Sequence, residues 1–226
     1  MDMLKGSPEY DSRMNVLYIY AHPEPRSFNC ALKDTAMLTL ARAGHEVKAS
    51  NLYAIKFKAV LDSADFRIRA NPDLFNPAGE QMHGFATRSL APDILEEIDK
   101  IAWADILIFQ FPIWWSYMPA ILKGWIDRVF VQGFVVDLRD GRVYDRGLLK
   151  GKSAMIVATC GSPEEMYMKG GIHGDLREHL SIITHNIFEF TGMAVLPSFI
   201  VYNVPAMTRE EGEKQLDRYR HVLEML

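Results

Sequence analysis

The sequence predicts an α/β fold in which a doubly wound sheet of five parallel strands carries helices on both faces. Apolar, β-branched runs alternate along the chain with stretches of helical periodicity, as expected for strands joined by crossover helices. The run 106–109 is apolar on both faces, which is typical of a central strand that helices cover on both sides. Periodicity fades after the second strand, which predicts a long insertion there.

The first half of the chain provides two strands and the insertion. The run MNVLYIY has strand composition, and Gly44 supplies the left-handed position that ends the helix after it. Asn-Pro and glycine turn signals mark the insertion, and Pro92 fits the first turn of a short helix. The predicted elements are the strand 14–20, the turn 21–29, a helix to about Ala43, the strand 46–52, the insertion 53–90 and the helix 92–102.

The second half repeats the alternation of strand, loop and helix three times. Pro112 lacks an N–H donor and should end the central strand. Thr208 with Glu211 forms a capping-box pattern that opens the last helix. The predicted elements are the strand 106–112, an aromatic turn 112–118, the helix 119–130, the connector 133–151, the strand 152–159, the loop 160–173, the helix 175–191, the strand 194–204 and a helix from Thr208.

Short connections and right-handed crossovers favour the flavodoxin-like strand order 2-1-3-4-5. No internal repeat or low-complexity tract interrupts the pattern. We therefore expect one domain over residues 14–226, preceded by a flexible leader at 1–13 that is mostly polar.

Composition excludes several functional classes. The 226 residues are 49% hydrophobic and 24% charged, with a formal net charge of -4, so neither nucleic acid nor an anionic membrane is an expected partner. Two cysteines provide no disulfide framework, and the first residues lack the apolar segment of a signal peptide. The apolar run 104–130 is broken by Gln110, Pro112 and Ser116, which argues against membrane insertion. A cytoplasmic protein is the expectation.

The loops that follow the first, third and fourth strands should meet at one edge of the sheet, where ligands bind in open α/β folds. His22, Arg26, Ser27 and Asn29 precede or open a helix, and helix N-termini bind phosphate. The simpler interpretation makes Ser27 only an N-cap. Trp114 and Trp115 either form a wall for a flat conjugated ligand or pack beneath their own turn, with equal support.

The loop after the fourth strand combines exposed amides with a tyrosine and a histidine. Amides near Gly161 could bind a ring carbonyl, and Tyr167 with His173 could act as a proton relay. Cys160 is either a nucleophile or, more simply, a small buried residue. The histidines lack the spacing of zinc ligands, so no metal is expected. The sequence contains no GxGxxG and no Walker motif, so neither a nicotinamide Rossmann site nor a P-loop is expected.

Six segments together resemble the NAD(P)H:quinone oxidoreductases, the DT-diaphorase family. They occur in the same order as in that family and extend over most of residues 14–204. The segments are AHPEPRSFN at 21–29, NLY at 51–53, LAPDI at 90–94, IFQFPIWW at 108–115, PAILKGWIDRVF at 119–130 and MYMKGGIHGD at 166–175.

The resemblance implies a homodimeric flavoprotein with active sites at the subunit interface. It implies FAD, with FMN as an alternative, and a hydride passed from NAD(P)H through the flavin to a quinone-like acceptor by a ping-pong mechanism. The cofactor-binding residues that it implies are His22, Arg26, Ser27, Phe28, Asn29, Ala31, Pro112, Ile113, Trp114, Trp115, Thr159, Cys160, Gly161, Ser162 and Tyr167.

Tyr167 and His173 match the family's catalytic pair, which is proposed to stabilise negative charge on the flavin. The implied substrate pocket consists of Trp115, Met166, His173, Phe190, Val136 and Leu138. Val136 and Leu138 stand where broad-specificity members present two tyrosines from the partner subunit, and Ser162 replaces a glycine.

Two other functions remain open on the sequence. Some proteins of this superfamily are flavin-binding regulatory subunits of glutathione-gated potassium efflux systems. A one-electron flavodoxin carrier is the second alternative, although the long insertion and the Tyr167–His173 pair argue against it.

Overall fold

A parallel sheet lies at the centre of the computed structural model, which describes residues 13–226. The predicted leader at 1–13 falls outside the described residues except for Arg13. The helices and strands are β1 (Asn15–Tyr20), α1 (Phe28–Arg42), β2 (Glu46–Asn51), α2 (Pro77–Ala86), α3 (Pro92–Trp103), β3 (Ile106–Pro112), α4 (Ala120–Val129), β4 (Ser153–Thr159), α5 (Leu176–Ile183), β5 (Ala194–Val195), β6 (Phe199–Val201) and α6 (Arg209–Leu223).

The predicted α/β class and flavodoxin-like order are confirmed. The strands run in the order β2-β1-β3-β4, and both β5 and β6 pair with β4, all in parallel. Every residue of β3 is buried, and its last residue, Pro112, lies opposite Thr159 of β4. The strand predicted to be central is therefore the one that places its carboxyl end between its two neighbours.

The prediction of one continuous fifth strand over 194–204 is wrong. Ala194 pairs with Ser153, and Phe199 pairs with Val157, but the chain between the two pairings leaves the ladder. Pro197 lies in this gap and has no N–H to donate. The fifth strand is consequently two short strands, and residues after Val201 are free to turn towards the carboxyl edge.

Alternating side chains of the strands form two separate cores. One core packs against α1 and α6 and contains Val16, Tyr18, Tyr20, Ile106, Ile108, Met155, Val157, Leu32, Leu40 and Tyr219. The other packs against α3, α4 and α5 and contains Leu17, Ile19, Leu107, Phe109, Ile156, Ile98, Trp125 and Leu180. Helices thus cover both faces, as the sequence pattern predicts.

The insertion contains a helix that sequence reasoning did not find. Asn76 caps α2 through Gly79 N–H at 3.4 Å, and Pro77 occupies the first helical turn. The same two residues are turn signals by composition, which explains the missed helix. The insertion also approaches α4 so closely that a Cβ on Gly124 would lie 2.0 Å from the Ala59 carbonyl oxygen. It is therefore packed as a cover over the fold.

The predicted helix over 175–191 is regular only in its first half. After α5 the chain continues through a wider π turn, Thr184–Phe188, and a 3-10 turn, Glu189–Thr191. Gly192 ends the segment with a φ of +93°. The predicted capping box at the start of α6 is present, since Thr208 and Glu211 each accept a bond from the other's backbone N–H.

Candidate active site

Loops after β1, β3, β4 and β6 converge on a groove at the carboxyl edge of the sheet. Its volume is about 230 Å³, and its lining consists of His22, Pro112, Ile113, Trp114, Thr159, Cys160, Gly161, Val204 and Pro205. The first seven of these are among the residues predicted to bind a cofactor. Val204 was missed because the predicted fifth strand extended to it, and Pro205 was assigned to the connection that follows.

Backbone hydrogen bonds hold the groove floor as an extension of the sheet. Ile113 N–H donates to the Thr159 carbonyl at 2.8 Å. Cys160 N–H donates to the Val201 carbonyl at 2.8 Å, and Val204 N–H donates to the Cys160 carbonyl at 3.1 Å. The floor is therefore rigid, which suits a site that must hold a flat ligand in one orientation.

The loop after β1 begins the wall on one side. Ser27 is the N-cap of α1 and accepts from Cys30 N–H at 3.2 Å. His22 accepts from Glu24 N–H through Nδ1 at 3.1 Å, which leaves Nε2 as its protonated nitrogen. Burial lowers the pKa of His22, against weaker opposite effects of Glu24. The imidazole is therefore a neutral donor at the groove. Arg26 bonds Glu24 and is otherwise exposed.

The tryptophan turn after β3 is conformationally strained. Trp114 and Tyr117 exchange backbone hydrogen bonds of 2.9 and 3.1 Å, and the two residues between them both adopt left-handed φ values. Trp115 has a φ of +50° and Ser116 of +64°, conformations that cost about 1–3 kcal/mol each for residues other than glycine. The turn holds the Trp115 indole fully exposed. The interpretation that Trp115 packs beneath the turn is therefore wrong.

Trp114 takes the inner position in the same turn. Its ring centroid lies 5.9 Å from that of His22, with the planes tilted by 55°. An apolar ring thus faces a neutral imidazole across one end of the groove. The exposed Trp115 and the half-exposed Trp114 together offer a flat ligand an aromatic wall.

The loop after β4 brings Tyr167 and His173 together. Their ring centroids are 4.9 Å apart, and His173 N–H donates to the Met166 carbonyl at 2.9 Å. His173 Nε2 lies 3.4 Å from Ser162 Oγ. Burial raises the pKa of Tyr167, so its phenol keeps its proton near neutral pH. The pair can therefore supply a hydroxyl proton and an imidazole beside the groove.

Tyr202 extends this pair to a third ring that sequence reasoning missed. It lies just after β6, with its ring centroid 6.0 Å from Tyr167. Burial raises the pKa of Tyr202 as well. The signal was present in the sequence, since Tyr202 follows a strand at the carboxyl edge, but the position was assigned to the strand itself.

Cys160 is unsuited to nucleophilic chemistry. Its side chain is buried, and burial raises the pKa of the thiol to about 12. A thiol with that pKa holds almost no thiolate at neutral pH. The interpretation of Cys160 as a small buried residue is the one that the structure favours. Over residues 13–226, no three His, Cys, Asp or Glu side chains lie together as a metal site would require.

Among the described residues, none of the six predicted for the substrate pocket is part of the groove lining, and three of them make contacts elsewhere. Phe190 packs edge-on against Tyr144, with ring centroids 5.4 Å apart. Val136 is buried in the core of its own chain, whereas Leu138 is exposed. Within the part of the chain that the structure describes, none of the three lines the groove. Their assignment to the pocket stays a prediction that depends on a partner subunit.

The remaining cofactor residues form the first turn of α1. Asn29 is buried and donates through its amide to Thr159 Oγ1 at 2.9 Å, which ties the helix start to the groove. Phe28 lies beside α6, where a Cβ added to Gly212 would approach its ring at 3.5 Å. Ala31 N–H donates to the Ser27 carbonyl at 3.2 Å. These residues thus lie next to one another along the rim.

Comparisons with known proteins show that this chain is similar to quinone-reducing enzymes. A family model described as a flavodoxin-like fold matches residues 14–223. Ribosyldihydronicotinamide dehydrogenase [quinone] of Pongo abelii is 44% identical over 200 residues, which cover 88% of this chain and 85% of that protein. NAD(P)H dehydrogenase [quinone] 1 of Cavia porcellus is 40% identical, over 83% of this chain and 68% of that protein.

A solved structure agrees with these relatives. The chain superimposes with a TM-score of 0.89 on a Klebsiella pneumoniae protein assigned as a quinone reductase. The two are 40% identical, and the match covers 93% of this chain and 84% of the other. At this level of similarity the likeness extends to the sequence and is not a likeness of fold alone.

Proposed function

The chain belongs to the flavodoxin-like family of dihydronicotinamide:quinone dehydrogenases, and from that membership we propose that it binds flavin in the groove and reduces a quinone-like acceptor with electrons from NAD(P)H. The observation that carries the proposal is the groove lined by Trp114, Cys160 and Gly161, beside which Tyr167 and His173 lie together on the loop after β4. Bound flavin would supply the hydride acceptance and two-electron transfer that the side chains cannot perform.

The residues of the groove fit a flat, conjugated ring with one polar edge. The strained turn displays Trp115 as a wall, and a Cβ added at Gly161 would meet no atom within 4 Å, so space exists beside that backbone. The loop amides near Gly161 and the Ser162 hydroxyl would serve the polar edge of the ring. His22 would donate Nε2–H at the other end of the groove.

Residues 22–31 suit the adenosine diphosphate part of FAD. The N-terminus of α1 offers helix-dipole and amide donors to phosphate, and Arg26 is exposed enough to turn towards it. We therefore infer FAD, with FMN as the alternative that a mass measurement would reveal.

Tyr167 and His173 would hold and orient a proton beside the ring. The raised pKa of Tyr167 keeps its O–H available as a donor, and the imidazole of His173 lies against its ring. Stabilising negative charge as it develops is the contribution expected of such donors.

A homodimer would complete the substrate pocket. Exposed Leu138 and the Phe190–Tyr144 cluster lie outside the groove of their own chain. The resemblance implies that positions 136 and 138 belong to the pocket of the partner subunit. The proposal includes one domain over residues 14–226 and a cytoplasmic location. No helix within residues 13–226 is both long and apolar enough to cross a membrane.

The first experiment is an absorbance spectrum of the purified protein, before and after anaerobic addition of NADPH or ribosyldihydronicotinamide. A flavin spectrum that bleaches supports the proposal, and the mass of the released cofactor distinguishes FAD from FMN. A colourless protein that refuses added flavin would refute it.

Steady-state kinetics test whether nicotinamide and acceptor use one cavity in turn. Parallel lines are expected when the initial rate is measured against NADPH at several quinone concentrations, and intersecting lines would contradict shared occupancy. The potassium-efflux alternative gains no support from relatives whose names describe dehydrogenases.

A further inference from the structure

A chain of buried hydrogen bonds crosses the core between α6 and the groove. Tyr219 and Tyr18 share a hydroxyl contact of 3.0 Å, and Tyr18 OH bonds Gln110 Oε1 at 2.7 Å. Gln110 Nε2 donates to the Asn29 backbone carbonyl at 2.7 Å. Asn29 Nδ2 then donates to Thr159 Oγ1 at 2.9 Å. The chain therefore connects five elements, α6, β1, β3, α1 and β4, and ends at a groove residue.

The direction of the bonds from Tyr219 through Gln110 to the Asn29 carbonyl is forced. A backbone carbonyl can only accept, so the amide nitrogen of Gln110 must face Asn29 and its oxygen must face Tyr18. Tyr18 donates its single hydroxyl proton to Gln110 Oε1, so the Tyr18 oxygen must accept the hydroxyl proton of Tyr219. Thr159 accepts from Asn29, which leaves its own proton for Asn29 Oδ1 at 3.3 Å or for an acceptor in the groove.

No member of the chain has an alternative partner in water. Tyr18, Gln110, Asn29, Thr159 and Tyr219 are all buried, with Gln110 at 0% exposure. Burial raises the pKa of both tyrosines well above the ordinary value, so both remain protonated phenols. The chain is consequently neutral and complete, and an apolar side chain at its centre would strand polar groups on both sides.

Gln110 occupies the one position that controls the groove end of the chain. It lies two residues before the end of β3, opposite Tyr20 and Val157 in the register. From there its amide reaches both the backbone and the side chain of Asn29, the latter at 3.3 Å. Asn29 lies in the first turn of α1, whose N-terminus borders the groove.

We propose that Gln110 is a positioning residue of the cofactor site, which sets the start of α1 and the donor direction of Thr159 through Asn29. The inference rests on the proposed flavin function, because the groove is where both effects would be measured. Gln110 makes no contact with the ligand in this account and acts only through Asn29 and Thr159.

Two substitutions at Gln110 separate positioning from bulk. Gln110→Met keeps a similar size but can neither donate nor accept, and we expect flavin to bind the apoprotein about tenfold or more weakly. Gln110→Glu keeps the shape, and a protonated carboxyl can accept from Tyr18 and donate to Asn29. Burial should raise the pKa of this carboxyl well above its ordinary range, so the carboxyl stays protonated until the pH exceeds that raised pKa. Ionisation then removes the donor.

The measurement is flavin binding to each apoprotein by fluorescence quenching, at about pH 6 and about pH 9.5, alongside thermal unfolding. Relative to wild type at each pH, Gln110→Glu should bind within about threefold at the lower pH and about tenfold weaker at the higher. Ile156→Val and Ile156→Ala provide matched controls, since they remove buried methyl groups from the opposite face of the sheet.

The outcomes are distinguishable. Wild type that binds flavin, with both Gln110 variants binding equally well, would overturn the positioning role and leave the proposed function intact. Affinity that falls in proportion to melting temperature in the Ile156 and Gln110 variants alike would show a merely structural role and also overturn it. Wild type that binds no flavin would overturn both.

Discussion

The two faces of the sheet bury polar groups in opposite ways. On the α1–α6 face, a neutral hydrogen-bonded chain passes through Tyr18 and Gln110 and ends at Thr159 in the groove. On the α3–α4 face, the buried polar group is a charge. Arg128 is 1% exposed and donates to Asp65 at 2.8 and 3.1 Å and to Asp93 at 2.5 and 3.2 Å.

The charged cluster joins the insertion to the helices beneath it. Asp65 belongs to the insertion, Asp93 to the first turn of α3 and Arg128 to α4. Arg128 also donates to the Lys58 carbonyl at 3.0 Å, and Lys58 Nζ reaches Asp65 at 2.9 Å. This cluster therefore holds the cover in place, and none of these residues lines the groove.

The contrast shows how the two faces of one sheet can separate stability from site geometry. Ion pairs are strong when desolvated but carry a field, whereas a neutral chain fixes positions without placing a net charge near the ligand. A site in which charge develops on bound flavin is therefore better served by the neutral hydrogen-bonded chain than by an ion pair. The predictions below test that separation.

The largest effect is expected from Arg128→Met. Removing Arg128 leaves the buried Asp65 with Lys58 as its remaining charged partner and should lower the free energy of unfolding by about 3 kcal/mol. The affinity of the folded protein for flavin should change by less than about threefold, since no groove residue loses a partner. Urea unfolding and a flavin titration measure the two quantities. Loss of flavin affinity with stability retained would contradict the separation.

The next effect concerns the groove itself. Tyr167→Phe and His173→Ala should each slow flavin reduction by NADPH about 10- to 100-fold, because each removes a donor beside the ring. Flavin affinity should fall much less. Tyr202→Phe is the matched control, since it keeps the ring that packs on Tyr167 and removes only a hydroxyl group. Stopped-flow reduction at unchanged rates in both variants would rule out the relay.

Acid should weaken the charged face before the neutral one. Burial alone would raise the pKa of Asp65, but hydrogen bonds from Arg128 and Lys58 outweigh it and lower the pKa. The stabilisation is therefore present above the unfolded-state pKa and is lost as pH falls below about 4. The stability difference between wild type and Asp65→Asn should shrink over that range in urea unfolding. A difference independent of pH would refute this assignment.

The smallest effect is expected at the tryptophan turn. Ser116→Gly should relieve the cost of a φ of +64°, and the greater freedom of glycine in the unfolded chain should offset part of the gain. The net stabilisation should stay below about 1 kcal/mol in thermal unfolding. Destabilisation of similar size would instead show that the Ser116 side chain stabilises the fold by more than its backbone strain costs.

Local patterns predicted the sheet well because its strands are defined by their own composition. The central strand, its end at Pro112 and the capping box at Thr208 all depend on residues adjacent in the chain. The same local logic failed where a residue has two meanings. Asn76 and Pro77 are turn signals and also helix-start signals, and only packing against the fold decides between them.

The sequence predicted the loop residues of the site but missed the buried residues that support them. Groove residues such as Thr159 and Gly161 end or follow a strand that the sequence shows clearly. Tyr219 and Tyr18 are 201 residues apart, and nothing local indicates that they touch. Gln110 reads in sequence only as a polar break in an apolar run, yet it joins the core to the start of α1. Long-range pairing of this kind depends on topology.

The most direct test of the two-face account measures flavin affinity and unfolding free energy together in Arg128→Met and Gln110→Met. The account predicts that Arg128→Met loses mainly stability, while Gln110→Met loses flavin affinity beyond what its stability explains. Variants of equal stability from the two faces should therefore differ in affinity by about tenfold. If flavin affinity falls in the same proportion to the free energy of unfolding in both variants, the two faces do not have separate roles.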